Sequence, residues 1–288
     1  MNDRIDVRKT YKTFVGGQFP RSESGRFYKV FDEQNELLAN ACLCSRKDVR
    51  DAVKTARSAA AGWMGRSAYN RGQILYRIAE ILEDRREQFQ KELTPIGFTA
   101  SEAEADINAS IDRLIYYAGW TDKYQQVFGS VNPVASAHFN FSMMEPTGVV
   151  GILAPEQSPL LGLISVIAPV IAGGNTCVVL ASEQYPLAAI TFGEVLQASD
   201  VPGGVVNILT GKKEELVEHF ASHMDVNSLM YTDIFEHEMT KQIDILASEN
   251  VKRVIKRTIT DWYADEAQSP YFLLNVQETK TTWHPVGF

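Results

Sequence analysis

Cysteine is scarce in this sequence, which holds only Cys42, Cys44 and Cys177 in 288 residues. Three cannot build a disulfide framework, and Cys42-Leu43-Cys44 has neither metal-ligand spacing nor a second pair to complete a site. Free thiols in a reducing compartment are the expectation. A cationic surplus is lacking too. Lysine and arginine total 28 against 36 aspartates and glutamates, a formal charge of −8, so nucleic acid and anionic membranes find nothing to hold. Long apolar runs are missing, since the longest, residues 160–171, is too short to cross a bilayer and contains Pro169. The start, Met1-Asn2-Asp3-Arg4, has no apolar stretch of the secretory kind. Internal repeats and low-complexity tracts are absent. The length suits one large domain, or one domain with an appendage. A soluble, cytoplasmic protein is expected.

What is present divides into blocks. Residues 11–19 alternate around Gly16-Gly17, a turn signal between short strands. Val49, Ala52, Val53, Ala56, Ala59, Ala60 and Trp63 form one helical face, and Ser45-Arg46-Lys47-Asp48 before them resembles a capping box with Asp in place of Glu. Ile74, Leu75, Ile78 and Leu82 form a second face, and Ile107, Ile111, Leu114, Ile115 and Ala118 a third. No histidine or carboxylate is expected on their buried sides, so these helices read as structural.

From Gly148 the pattern changes. Val149-Val150-Gly151-Ile152-Leu153-Ala154 is an apolar run of the kind buried on both faces of a parallel sheet. Ser158-Pro159 then reads as the N-cap and first-turn proline of a helix that Gly173-Gly174 ends. Strands at 177–180, 205–209, 228–231 and 253–255 alternate with helices at 186–198, 214–222 and 236–247. Five strands with four helices predict a doubly wound parallel sheet of the α/β class. In the tail, residues 271–276 and 279–283 have strand chemistry, and a strand outside the main sheet must pair with something. The expected divisions are 1–125, strands and helices packing on the sheet domain; 126–144, a hairpin arm; 145–260, the sheet domain; and 261–288, the tail. Met143-Met144, before Glu145, reads as core.

Glu145-Pro146-Thr147-Gly148-Val149-Val150-Gly151-Ile152 resembles the first strand of the nucleotide domain of aldehyde dehydrogenases. So do Ala168-Pro169, Ala172-Gly173-Gly174-Asn175-Thr176, Pro202-Gly203-Gly204-Val205-Val206-Asn207 and His223-Met224-Asp225-Val226 at their spacings. Phe14-Val15-Gly16-Gly17, Trp63, Arg71 and Tyr116-Tyr117-Ala118-Gly119-Trp120 extend the likeness upstream. Thr279-Lys280-Thr281-Thr282-Trp283 is similar to the family's C-terminal oligomerisation strand. The resemblance implies a Rossmann-like domain with an oligomerisation arm, formed here by residues 127–142 and 279–283, that pairs across subunits.

The departures concern the chemistry. The family uses a cysteine thiolate as nucleophile, a glutamate that activates water, and a nicotinamide cofactor as hydride acceptor. No cysteine follows Cys177, which lies in an expected strand, and roughly 200 residues, a whole domain, are missing between Thr260 and the tail. Counting along the Lys252-Arg253-Val254 strand places Arg257 at the general base, with Thr258-Ile259-Thr260 in place of Leu-Gly-Gly. An arginine cannot deprotonate water at neutral pH. The family's Pro-Trp-Asn-Phe-Pro stretch reads Pro155-Glu156-Gln157-Ser158-Pro159, with Gln157 in place of the oxyanion-stabilising asparagine. Leu180 replaces a ribose-binding lysine, although the companion acid persists as Glu183. The phosphate loop reads Thr232-Asp233-Ile234-Phe235-Glu236, where Asp233, Glu236 and Glu238 would repel pyrophosphate. Lys213, Val217 and Glu218 replace small residues of the adenine slot. The resemblance therefore implies no catalytic residue and no metal, with Pro155, Gln157, Glu183 and Gly211 as vestiges of a cofactor site. The five histidines offer no metal spacing beyond His219 and His223 on one helix face.

Two readings follow. One is a non-catalytic subunit, like the second half of family-16 aldehyde dehydrogenases, that binds no cofactor and assembles with itself or a full-length aldehyde dehydrogenase through its C-terminal strand. The alternative is an NAD- or NADP-binding half-subunit completed in trans by a partner's cysteine.

Overall fold

The computed structural model describes residues 8–232 and 235–287. Strands β1 (Thr10–Tyr11), β2 (Phe27–Phe31) and β3 (Leu37–Cys42) form a small sheet in the order β1-β3-β2. Between β1 and β2 the chain makes a tight turn in which Val15 and Gln18 exchange backbone hydrogen bonds of 2.9 and 3.1 Å. Gly16 and Gly17 both have positive φ, +64° and +76°, which a two-residue hairpin turn requires and a side chain resists. The sequence places this turn correctly, but its flanks make single bridges, not strands. The β2–β3 hairpin lies in a stretch the sequence leaves without strands.

Five helices follow, namely α1 (Arg46–Met64), α2 (Ala68–Asp84), α3 (Arg86–Leu93), α4 (Ala100–Trp120) and α5 (Tyr124–Phe128). Ser45 and Asp48 form the expected capping box of α1, closing two of the amide groups that a helix start leaves unpaired. Trp63 buries its ring and donates its indole N–H to Ile171 at 3.0 Å.

Next come the arm strands β4 (Ser130–Asn132) and β5 (His138–Pro146). The main series is β6 (Val149–Leu153), α6 (Leu161–Ala172), β7 (Thr176–Leu180), α7 (Leu187–Ala198), β8 (Val206–Leu209), α8 (Lys213–Ser222), β9 (Ser228–Tyr231), α9 (His237–Ser248) and β10 (Arg253–Lys256). A short helix α10 (Pro270–Leu274) and β11 (Gln277–Pro285) end the described chain. The five sheet strands are all parallel in the order β10-β9-β6-β7-β8. Their residues are mostly apolar because both faces are covered. On one face Val149, Leu153, Val178 and Leu180 pack with α1, α8 and α9; on the other Ile152, Cys177, Val179 and Ile208 pack with α6 and α7. Every residue of α6 is buried, since α2 and α4 close its outer side, and a helix so enclosed is apolar all round. Among the described residues no helix is long and apolar enough to cross a membrane.

Several expectations are corrected. α6 starts at Leu161, not at Ser158-Pro159. Leu160 and not Ser158 is its N-cap; Ser158, outside the helix, accepts from the Gly162 N–H at 2.8 Å, while a carboxylate from α4 takes the Leu161 N–H. That carboxylate, Asp106, overturns the expectation that no acid lies on the buried helix faces. It is 2% exposed, and donors from Leu161 (3.2 Å) and the Tyr263 hydroxyl (3.3 Å) make its burial tolerable. Residues 271–276 are not a strand. Ser269 accepts from the Tyr271 N–H and Pro270 occupies the first turn, so α10 forms there. Met143 is 47% exposed on the arm and is not core.

The tail also differs from the pairing the resemblance implies. β11 pairs antiparallel with β5 of its own chain over nine positions, from Gln277 opposite Pro146 to Pro285 opposite His138. The short run from β10 returns the chain to the arm, so one ladder of β11 is satisfied without a second subunit. In the order β11-β5-β4, β11 is an edge strand and its other ladder faces outward.

Candidate functional site

In an open parallel sheet, ligands bind beyond the carboxyl ends of the strands where the winding reverses. Here that point lies between β6 and β9. The residues expected from the sequence are brought together along this edge. Pro155 follows β6 and is buried, Gln157 is exposed one turn further on, Glu183 follows β7 and Gly211 follows β8. The Gly211 backbone lies against Cys44, where an added Cβ would meet the Cys44 nitrogen at 3.3 Å, so its small size already serves packing. Between this edge and the β2–β3 hairpin lies a cleft of about 1170 Å³.

The cleft floor is a network that the sequence reading did not foresee. Lys213, 8% exposed, points its ammonium at the Ala154 carbonyl (2.8 Å) and at Glu156 Oε1 (2.7 Å). Glu156 also accepts from the Ser182 hydroxyl (2.6 Å) and from the backbone N–H groups of Glu183 (3.1 Å) and Gln184 (3.2 Å). Burial works to raise the Glu156 carboxyl, but the Lys213 ammonium and these donors outweigh it and hold the group below its usual range. Glu183 in turn accepts from the Lys213 N–H at 3.1 Å. Glu156 and Lys213 were each singled out from the sequence; their distance of 57 residues along the chain hid the pairing.

Helix starts near this edge are where an anion would dock. Asp106 and Ser158 take the first-turn amides of α6, and Glu183 takes that of α8. The N-cap of α9 is Glu236, with Glu238 in its first turn. Asp233 and Ile234, the centre of the expected phosphate loop, lie outside the described residues. The slot between α8 and α9 is closed by Val217, Met239 and Ile243 to about 40 Å³, room for a few waters and not for a purine. Leu180 turns into the core beside Leu153 and Leu209.

Cys177 and Arg257, the residues weighed for catalysis in the sequence, are both built into the fold. Cys177 is fully buried in β7, and burial pushes its thiol far above its usual range, so it holds no thiolate. Arg257, one residue past β10, is 7% exposed and stacks over the Phe272 ring with its guanidinium carbon 4.0 Å from the centroid. Its Nη2 donates to the Phe272 carbonyl at 3.0 Å, while Nε and Nη1 have no partner. Burial lowers its pKa to about 10. The segment after Arg257 does not leave the body. Arg113 anchors it by donating to the carbonyls of Ala267 (2.6 Å) and Trp262 (2.9 Å), and Tyr117 donates to that of Ser269 (3.2 Å). Among the described residues no group of three or more potential ligands is placed to hold a metal; His219 lies on α8 and His223 caps its end.

The fold is that of the α/β nucleotide domain of dehydrogenases. The family model described as "Aldehyde dehydrogenase family" matches residues 19–257, and the chain belongs to that family. It is 33% identical to the putative aldehyde dehydrogenase DhaS of Bacillus subtilis over 256 residues, 86% of this chain and 50% of that protein. It is 34% identical to aldehyde dehydrogenase, cytosolic 1, of Elephantulus edwardii, over 87% of this chain and 50% of that one. Among solved structures, an NAD+ complex of aldehyde dehydrogenase from Bacillus cereus superposes with a TM-score of 0.81 at 28% identity, covering 86% of this chain and 50% of that one. The chain spans about half the length of the relatives it matches.

Proposed function

We propose that this chain is a non-catalytic aldehyde dehydrogenase-like subunit, cytoplasmic, whose nucleotide domain serves as a scaffold for assembly. The observation that carries this is that the protein's own side chains already engage the polar groups of the cofactor edge. Lys213 and Glu156 occupy the floor, and Asp106 and Glu183 take helix-start amides that an anion would use. Like charge and desolvation then oppose a pyrophosphate. The site where a general base would stand holds Arg257 under Phe272.

Assembly rests on the arm. β11 offers an outward ladder, and Trp283, Phe139 and Val131 on the arm are exposed. An edge of this kind associates unless something covers it. The partner is a second copy or a full-length aldehyde dehydrogenase. Sedimentation analysis at micromolar concentration is expected to show a dimer or larger for the intact chain. Removal of residues 277–288 is expected to abolish that assembly or make the chain insoluble, since β5 then loses one of its two partners and becomes an edge. A stable monomer for the intact chain would overturn the assembly reading. The second reading, an NAD- or NADP-binding half-subunit completed in trans, draws support from the size of the cleft and from Glu183. Activity that appears only on mixing with a catalytic aldehyde dehydrogenase, and vanishes on Glu183→Leu, would favour it.

A further inference from the structure

We propose that the cleft between the β2–β3 hairpin and the loops after β6 and β7 binds an organic cation, an alkylammonium or a guanidinium compound. This rests on the reading that the cleft no longer takes a dinucleotide. The volume, about 1170 Å³, is ample for a small molecule.

Charge sets the class of ligand. Four carboxylates line the cleft, Asp32, Glu33, Glu156 and Glu183, against the two ammonium groups of Lys29 and Lys213. Lys213 is turned down onto Ala154 and Glu156, so it neutralises the floor and not the mouth. Asp32 accepts from the Glu36 N–H at 2.6 Å and is fixed in the hairpin turn, facing the cleft edge. The lining therefore carries an excess of negative charge in a concave, partly desolvated place, where field lines concentrate.

The walls supply the second half of the recognition. Tyr28, Phe31, Tyr185 and Phe235 present aromatic rings to the same space, and ring faces attract cations held within about 6 Å. Aromatic faces and surplus carboxylates suit a cation with an apolar stem, and neither suits phosphate.

Titration of the whole chain with agmatine, followed by calorimetry and by changes in the tyrosine ring resonances, tests this, with inorganic pyrophosphate and NAD titrated in parallel. Saturable agmatine binding is expected, weakened at least about tenfold in Glu33→Gln/Glu183→Gln and in Phe31→Ala, with the circular dichroism of each variant unchanged. Either variant set keeps the test alive if the other misfolds. Absence of saturable agmatine binding, or binding that ignores both variants, would overturn the proposal while leaving the non-catalytic reading intact. NAD or pyrophosphate binding in this cleft would instead defeat that reading and this proposal with it.

Discussion

Replacing Arg257 by methionine should make the protein more stable. The guanidinium is nearly inaccessible, and desolvation lowers its pKa well below the usual guanidinium range, to about 10. A difference of that size corresponds to about 3 kcal/mol against the charged form. Set against it are one hydrogen bond to the Phe272 carbonyl, worth about 1 kcal/mol, and stacking on the Phe272 ring, worth about 1 kcal/mol. Nε and Nη1 contribute nothing, having no partner. The balance is unfavourable by about 1 kcal/mol, and Arg257→Met removes the charge while refilling the space with apolar atoms. A gain of about 1–2 kcal/mol is expected, or a rise in Tm of roughly 2–8 °C for a chain of this size. The sign with pH is fixed by the lowered value. Below about pH 10 the group is charged both folded and unfolded, so the cost is constant there and fades only as pH rises above that value. Urea unfolding followed by circular dichroism at about pH 6 and pH 9 should thus give the same gain. A variant less stable than the parent by about 1 kcal/mol or more would show that Arg257 has a partner that the structure does not contain, and would refute the reasoning.

Asp106 behaves in the opposite sense, because burial raises its carboxyl to about 6 from 3.8. A raised carboxyl contributes stability that is complete below the unfolded value and lost as pH climbs through 6. Asp106→Asn should accordingly stabilise the chain by about 2–3 kcal/mol at pH 7 and by little at pH 4, and equal effects at the two pH values would refute the assignment. The chain alone is expected to reduce neither NAD nor NADP in the presence of aldehydes, and Arg257→Glu should not change this, since a buried carboxylate without a nucleophile does nothing. Cofactor reduction that Cys177→Ser abolishes would reverse that conclusion.

The main sheet was legible in the sequence because its strands are enclosed. Runs such as Val149-Val150-Gly151-Ile152-Leu153 and Cys177-Val178-Val179-Leu180 have one physical use, and their glycine-marked ends set the helices between them to within a few residues. The β2–β3 hairpin was not legible, because its exposed side carries Phe27 and Phe31 and its turn is held by Asp32 and a left-handed Asn35 instead of by glycine. α10 lost to β propensity in a Tyr-Phe-Leu-Leu run, although Ser269-Pro270 announced it. At the site, single substitutions such as Lys213 and Arg257 were visible, but not their effects. Nothing local in the sequence joins Lys213 to Glu156, Asp106 to Leu161, or Arg113 to Ala267. Those contacts exist only once α4, α6 and α8 are packed, and they leave the polar groups along the sheet edge already paired.

Loss of dinucleotide binding at that edge is tested most directly by calorimetric titration of the purified chain with NAD. The Lys213–Glu156 pair and the carboxylates at the helix starts predict no saturable heat up to about 1 mM, the weak limit near −4 kcal/mol. A stoichiometric isotherm with a dissociation constant near 1 μM, about −8 kcal/mol, would contradict it.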